Sequence, residues 1–172
     1  MASLMENLIS VLQQECDAYE GLLELSRQKT PAIVAGNLEE LSRITEEEQE
    51  RADVVQNLDK KRVEVTKDIA NVLNRDVEKL KLRNLIDMLG ARPQEQKALS
   101  EAHDRLQASV HELTRINAQN LELLQSGLEM IQFEMNLAQA YQAAPETANY
   151  SRGAYSTGDA LGSRRGNFDA KQ

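Results

Sequence analysis

Between residues 38 and 72 the positions Leu38, Leu41, Ile44, Glu48, Ala52, Val55, Leu58, Arg62, Val65, Ile69 and Val72 follow one another at steps of three or four. An average step near 3.5 keeps one side of a helix turned toward the same neighbour over many turns, so it predicts a long helix in a nearly straight antiparallel seam. Asn37 is placed to cap its start, Glu39 and Glu40 suit the positive end of the helix dipole, and Asn74-Arg75-Asp76 ends it. The charged runs EEEQER and DKKR fall on its outer face.

A helix of this kind needs equally long partners, and two are legible. Leu4, Leu8, Val11 and Leu12, then Leu22 and Leu25 after Glu15 and Ala18, predict a first helix reaching about Lys29. A short turn over TPAIVAGN follows, with Thr30 as its cap before Pro31 and Gly36-Asn37 breaking it. Residues 77–90 read as a short amphipathic element stopped at Gly90. From Gln94 to Gln142 a final helix carries Leu99, Ala102, Leu106, Val110, Leu113, Asn117, Leu121, Leu124, Leu128, Ile131, Met135 and Ala138 on its stripe, its continuity past Gly127 left open. With 3% aromatic residues and no Trp, a rounded core is poorly supplied, whereas long helices suit this composition. The expected fold is therefore all-α: an elongated antiparallel bundle of coiled-coil-like helices over residues 1–144. The segment 145–172 holds four of the eight glycines and little periodicity, and is expected to be a disordered, flexible tail with sparse anchors at Tyr150, Tyr155, Leu161 and Phe168.

Several chemistries lack a necessary part. HELTR at 111–115 begins like a zinc-protease HExxH helix but has Arg115 where the second imidazole should stand, and His103 lies eight residues back. Glu46, Glu47, Glu48 and Glu50 accompany Arg43 and Arg51 on a charged helix surface, with no apolar pocket to shift a carboxylate. Cys16 has no second thiol for a disulfide and no legible base. STGDALGSRRG has the glycines of a phosphate loop without its lysine. No enzyme, metal or cofactor is expected. A net charge of −8 without a basic stripe excludes nucleic acid as a natural partner. Neither a secretion signal nor a membrane-inserting run is legible, so a cytoplasmic location is expected.

What remains is an apolar surplus on the final helix. Met130, Phe133 and Leu137 lie off the seam of Leu128, Ile131 and Met135 and widen the apolar arc beyond what one neighbour covers. That arc is open to three occupants: the chain's own first helix, a second copy in a homodimer, or an amphipathic helix of another protein. Asn117 and Asn120, set in the stripe, divide a self-packed half from this half. The candidate partner-binding residues are Asn117, Asn120, Leu121, Leu124, Leu128, Ile131, Phe133, Met135 and Ala138.

The ordered set of features resembles the FlgN-type flagellar type III export chaperones. The resemblance is carried by Gly36, Asn37, Leu38, Leu41, Arg43, Ile44, Thr45, Glu46 and Glu47 opening the second helix, by LDKKR within it, and by Leu113, Asn117, Asn120, Leu123 and Leu124 in the last. It implies a chaperone that binds the amphipathic terminal helices of hook-associated junction proteins, prevents early assembly and delivers them to the flagellar export gate and its ATPase complex. It also implies a gate contact for Tyr150, where the Tyr-x-x-x-Gly-like element is approximated by YSRGA and again by YSTG at 155–158. The rival reading is a structural coiled-coil homodimer or scaffold without a client.

Overall fold

A computed structural model describes residues 3–77 and 80–143. Among these, the elements are α1 (Leu4–Ala35), α2 (Leu38–Leu73), α3 (Leu82–Met88), a 3-10 turn (Leu89–Ala91) and α4 (Pro93–Ala143), with no strand. The all-α expectation holds, with long helices packed against one another. The chain divides into two units, Met1–Gln132 and Phe133–Gln172. The tail expected from Pro145, with Tyr150, Tyr155, Leu161 and Phe168, lies outside the described residues.

Local chemistry sets the helix ends. Ser3 opens α1 with a capping box: its Oγ accepts from the Glu6 N–H at 3.1 Å while Glu6 Oε2 accepts from the Ser3 N–H at 2.7 Å. Gly36 then takes a left-handed φ of 63°, and its N–H and that of Asn37 close the last turn on Ile33 and Ala32. Asn37 immediately caps α2 by accepting from the Glu40 N–H at 3.1 Å. Two residues thus end one helix and begin the next, which forces α1 and α2 into an antiparallel hairpin.

The predicted end of α1 is corrected. It continues through Pro31 to Ala35, although an interior proline ordinarily costs about 3 kcal/mol through a lost hydrogen bond and a ring clash. The turn before it is held from outside the helix: Thr30 Oγ1 donates to Asn120 Oδ1 at 2.7 Å, and Asn120 Nδ2 donates to the Ser26 carbonyl at 2.8 Å. Ala32, just beyond the proline, is buried with Leu25 and Ile44.

In the first unit α4 runs parallel to α1. Cys16 Sγ donates to the Ala102 carbonyl at 3.3 Å, Arg105 reaches Asp17 and Glu20, and Ser26 meets Asn117. Opposite pairings fix α2 as antiparallel to both: Glu15 with Arg62, and Ser26 with Glu48. At one end Leu8, Leu12, Ile69, Leu85, Leu89 and Leu99 join α1, α2, α3, the 3-10 turn and α4 in one apolar core. Fully buried leucines of this kind each contribute about 2–5 kcal/mol against Ala. At the hairpin end the second core, Leu25, Ala32 and Ile44 with Leu41 against it, draws on α1 and α2 alone.

The seam of α4 also differs from the predicted stripe. Ser109, Ile116 and Asn120 are buried, whereas Val110 is 37% and Leu121 56% exposed. Leu113 lies between the two tracks and is half-buried.

Candidate functional site

Polar residues interrupt the apolar stripes of α1 and α2 as well as α4, and in the first unit they find each other. Glu15 of α1 is 2% exposed and its Oε1 accepts from Arg62 Nε of α2 at 3.0 Å. Burial pushes the Glu15 carboxyl above its ordinary range, although Arg62 pulls the other way. Arg62 is raised: its partial burial works against the charged form, but the Glu15 carboxylate and, less strongly, Asp59 outweigh it. The burial effect wins on Glu15, whose side chain is only 3% exposed.

Further along α1 lies a second polar layer. Ser26 Oγ donates to Asn117 Oδ1 at 2.8 Å, Lys29 pairs with Glu48 of α2, and Asn120 bonds both Thr30 and the Ser26 carbonyl. No buried side-chain nitrogen or oxygen among the described residues lacks a partner. The layer is therefore satisfied, and it fixes the register of three helices.

This layer floors an open cleft of about 420 Å³. Leu22, Ser26 and Lys29 of α1 lie at its base, Thr45, Glu48, Gln49 and Ala52 of α2 on one side, and Leu113, Asn117, Asn120, Leu121 and Leu124 of α4 on the other. Four of the candidate partner-binding residues, Asn117, Asn120, Leu121 and Leu124, thus meet in one place. Asn120 is only 3% exposed, so it serves as floor and not as surface.

Beyond Asn120, α4 stays apolar but loses its cover. In the first unit Leu121, Leu128, Met130 and Ile131 are exposed, with Leu128 at 66% and Ile131 at 55%, and only Leu123 is half-buried. In the second unit Phe133, Met135, Leu137, Ala138 and Tyr141 are exposed as well. The helix is continuous past Gly127. Exposed contiguous apolar area of this kind is a general feature of interaction surfaces; no described helix is long and apolar enough to cross a membrane.

The α1 and α2 contributions to the cleft are not singled out by the sequence. Glu48 lies on the α2 stripe, but Ser26 and Lys29 continue the line of Leu22 and Leu25 on α1 as polar residues, and apolar periodicity does not mark polar residues as facing a neighbour. His103 bonds Asp104 at 3.0 Å. Among the described residues no three His, Cys, Asp or Glu side chains converge to hold a metal ion. Cys16 is buried, and burial pushes its thiol up, away from nucleophilic reactivity at neutral pH.

A family model described as FlgN protein matches residues 1–157 of the chain. No curated protein and no solved structure matched it.

Proposed function

Because the chain belongs to the FlgN family of flagellar export chaperones, we propose that its cleft and the apolar face of α4 hold an amphipathic terminal helix of a hook-associated junction protein. The observation that carries this reading is the change at Asn120: α4 is packed on α1 up to that residue and uncovered after it, without becoming polar. At the same end the hairpin core uses α1 and α2 alone, which leaves a side for a further helix to complete. Leu121, Leu124, Leu128 and Ile131 are the anchors in the first unit, with Asn117 bordering the cleft; taken by itself, the second unit offers Phe133, Met135 and Ala138 as further client contacts.

The mechanism is masking. A junction-protein helix whose apolar stripe is free in the cytoplasm assembles early or aggregates. Laying that stripe on α4 removes it from water, at roughly 25 cal/mol per Å² of apolar area, without any bond made or broken. The bound helix must leave again at export, and the polar layer limits how far the apolar contact extends toward the bundle. Methionines at Met130 and Met135 suit a surface that repacks around its guest. Delivery to the export gate and its ATPase complex is assigned to the segment 145–172, with Tyr150 a gate contact.

Capture of a hook-associated protein by the full chain, compared with Leu124→Asp and Ile131→Asp, tests the reading. Capture is lost in both variants while the helical circular-dichroism signal is kept. Undiminished capture by both would overturn it.

A further inference from the structure

The acids of α4 fall into two groups. Up to Arg115 each has a cationic or imidazole partner: Glu95 with Arg92, Glu101 with Lys97, Asp104 with His103, and Glu112 with Arg115 and Arg27. From Ile116 to Ala143 the sequence contains no Lys, Arg or His, yet it carries Glu122, Glu129 and Glu134. None of these three has an ion pair among the described residues. In the first unit Glu122 and Glu129, seven residues apart, each follow a leucine of the exposed row, Leu121 and Leu128. They therefore border that row along one edge.

We infer that the helix accepted by this face carries Lys or Arg along the rim of its apolar stripe. The inference rests on the docking reading above and specifies its occupant. An apolar row whose charged neighbours on this stretch of α4 are all carboxylates attracts a cation-edged helix and repels an acid-edged one, so the edge acts as a selector while the leucines supply affinity. A second copy of this chain is a poor occupant on the same ground. Pairing two such faces in the first unit gathers four carboxylates from Glu122 and Glu129, with no Lys, Arg or His on this stretch of α4 to offset them. The chain's own segment 145–172, which includes Arg152, Arg164, Arg165 and Lys171, is the competing occupant.

The test uses the full-length chain and two synthetic amphipathic peptides with the same Leu/Ile stripe, one with Lys and Arg at the rim and one with Glu. Each is titrated at about 20 mM and about 500 mM NaCl, where the screening length shrinks to a few ångström. The basic peptide binds about tenfold tighter than the acidic one at low salt, and the difference collapses at high salt. It also collapses in the triple variant Glu122→Gln, Glu129→Gln, Glu134→Gln. Equal binding of both peptides, abolished by Leu124→Asp, would keep the docking reading and overturn the charge selection. Basic-peptide binding that survives Leu124→Asp, or no binding of either peptide, would overturn both. A homodimer broken by Ile131→Asp, or at least tenfold tighter peptide binding by a chain ending at Ala144, would hand the face to a second copy or to the chain's own terminus and overturn the inference.

Discussion

Thr30 and Asn120 share a hydrogen bond of 2.7 Å immediately before Pro31, and the same Asn120 amide donates back to the Ser26 carbonyl at 2.8 Å. One side chain of α4 thus clasps the turn of α1 that leads into its proline. Asn120→Ala leaves the Thr30 hydroxyl without this acceptor and the Ser26 carbonyl without this donor. The expected cost is about 1–3 kcal/mol in urea unfolding. Asn117→Ala, at an exposed residue, costs less than about 1 kcal/mol. Equal costs for the two would mean that the clasp does not hold the turn.

The buried pair of Glu15 and Arg62 predicts a pH dependence. The Glu15 carboxyl is raised in the folded state above its ordinary 4.5 by burial. The native protein therefore holds this proton more tightly than the unfolded chain does, and Glu15 contributes a gain in stability as pH falls from the raised native value to 4.5. Glu15→Gln cannot take up that proton. The stability of the natural chain relative to Glu15→Gln rises as pH drops from about 7 toward about 4, whereas a difference that is flat or shrinks over this window would contradict the assignment.

Two glycines on the hairpin behave oppositely. At Gly21 an added Cβ would meet only the far end of the Arg51 side chain, and a flexible guanidinium can swing aside. Gly21→Ala is expected to raise stability by about 0.5–1 kcal/mol through helix propensity. Gly36 sits at φ 63° with open space around it, so Gly36→Ala costs about 1 kcal/mol through backbone strain alone. Thermal unfolding midpoints moving in opposite directions check both.

How much of this is legible in the sequence follows from which residues obey a single rule. The α2 stripe obeys periodicity throughout its middle, and its polar members Glu48 and Arg62 are the ones paired across the bundle. The end of α1 departs from the expectation because Pro31 is a local breaker, and what overrides it is Asn120, distant in sequence. The α4 seam is displaced because Leu113 fits two tracks. The one through Val110 and Leu121 looks more apolar, but the buried residues are Ser109, Ile116 and Asn120, the last of them bonded to α1. The apolar surplus near Met130 and Phe133 is readable from the residues alone. Its lack of cover is not, since periodicity cannot say where a neighbouring helix stops.

Gly127 lies in the middle of the uncovered row, and a Cβ added there would meet nothing within 4 Å. Gly127→Ala should stiffen α4 by about 1 kcal/mol of local helix stability without obstructing a docked helix. Amide exchange at 124–131 slows in the free protein, and client affinity is retained or modestly improved. A loss of affinity beyond about tenfold would mean that the guest backbone approaches Gly127 closely.

The most direct test of the docking surface is amide hydrogen exchange on the full-length chain with and without a terminal helix of a hook-associated protein. Added protection is predicted at residues 121–131 of α4, with a smaller increase at 45–52 of α2, where the cleft is lined from the other side. A complex that forms with no change in exchange over 121–131 would contradict the account.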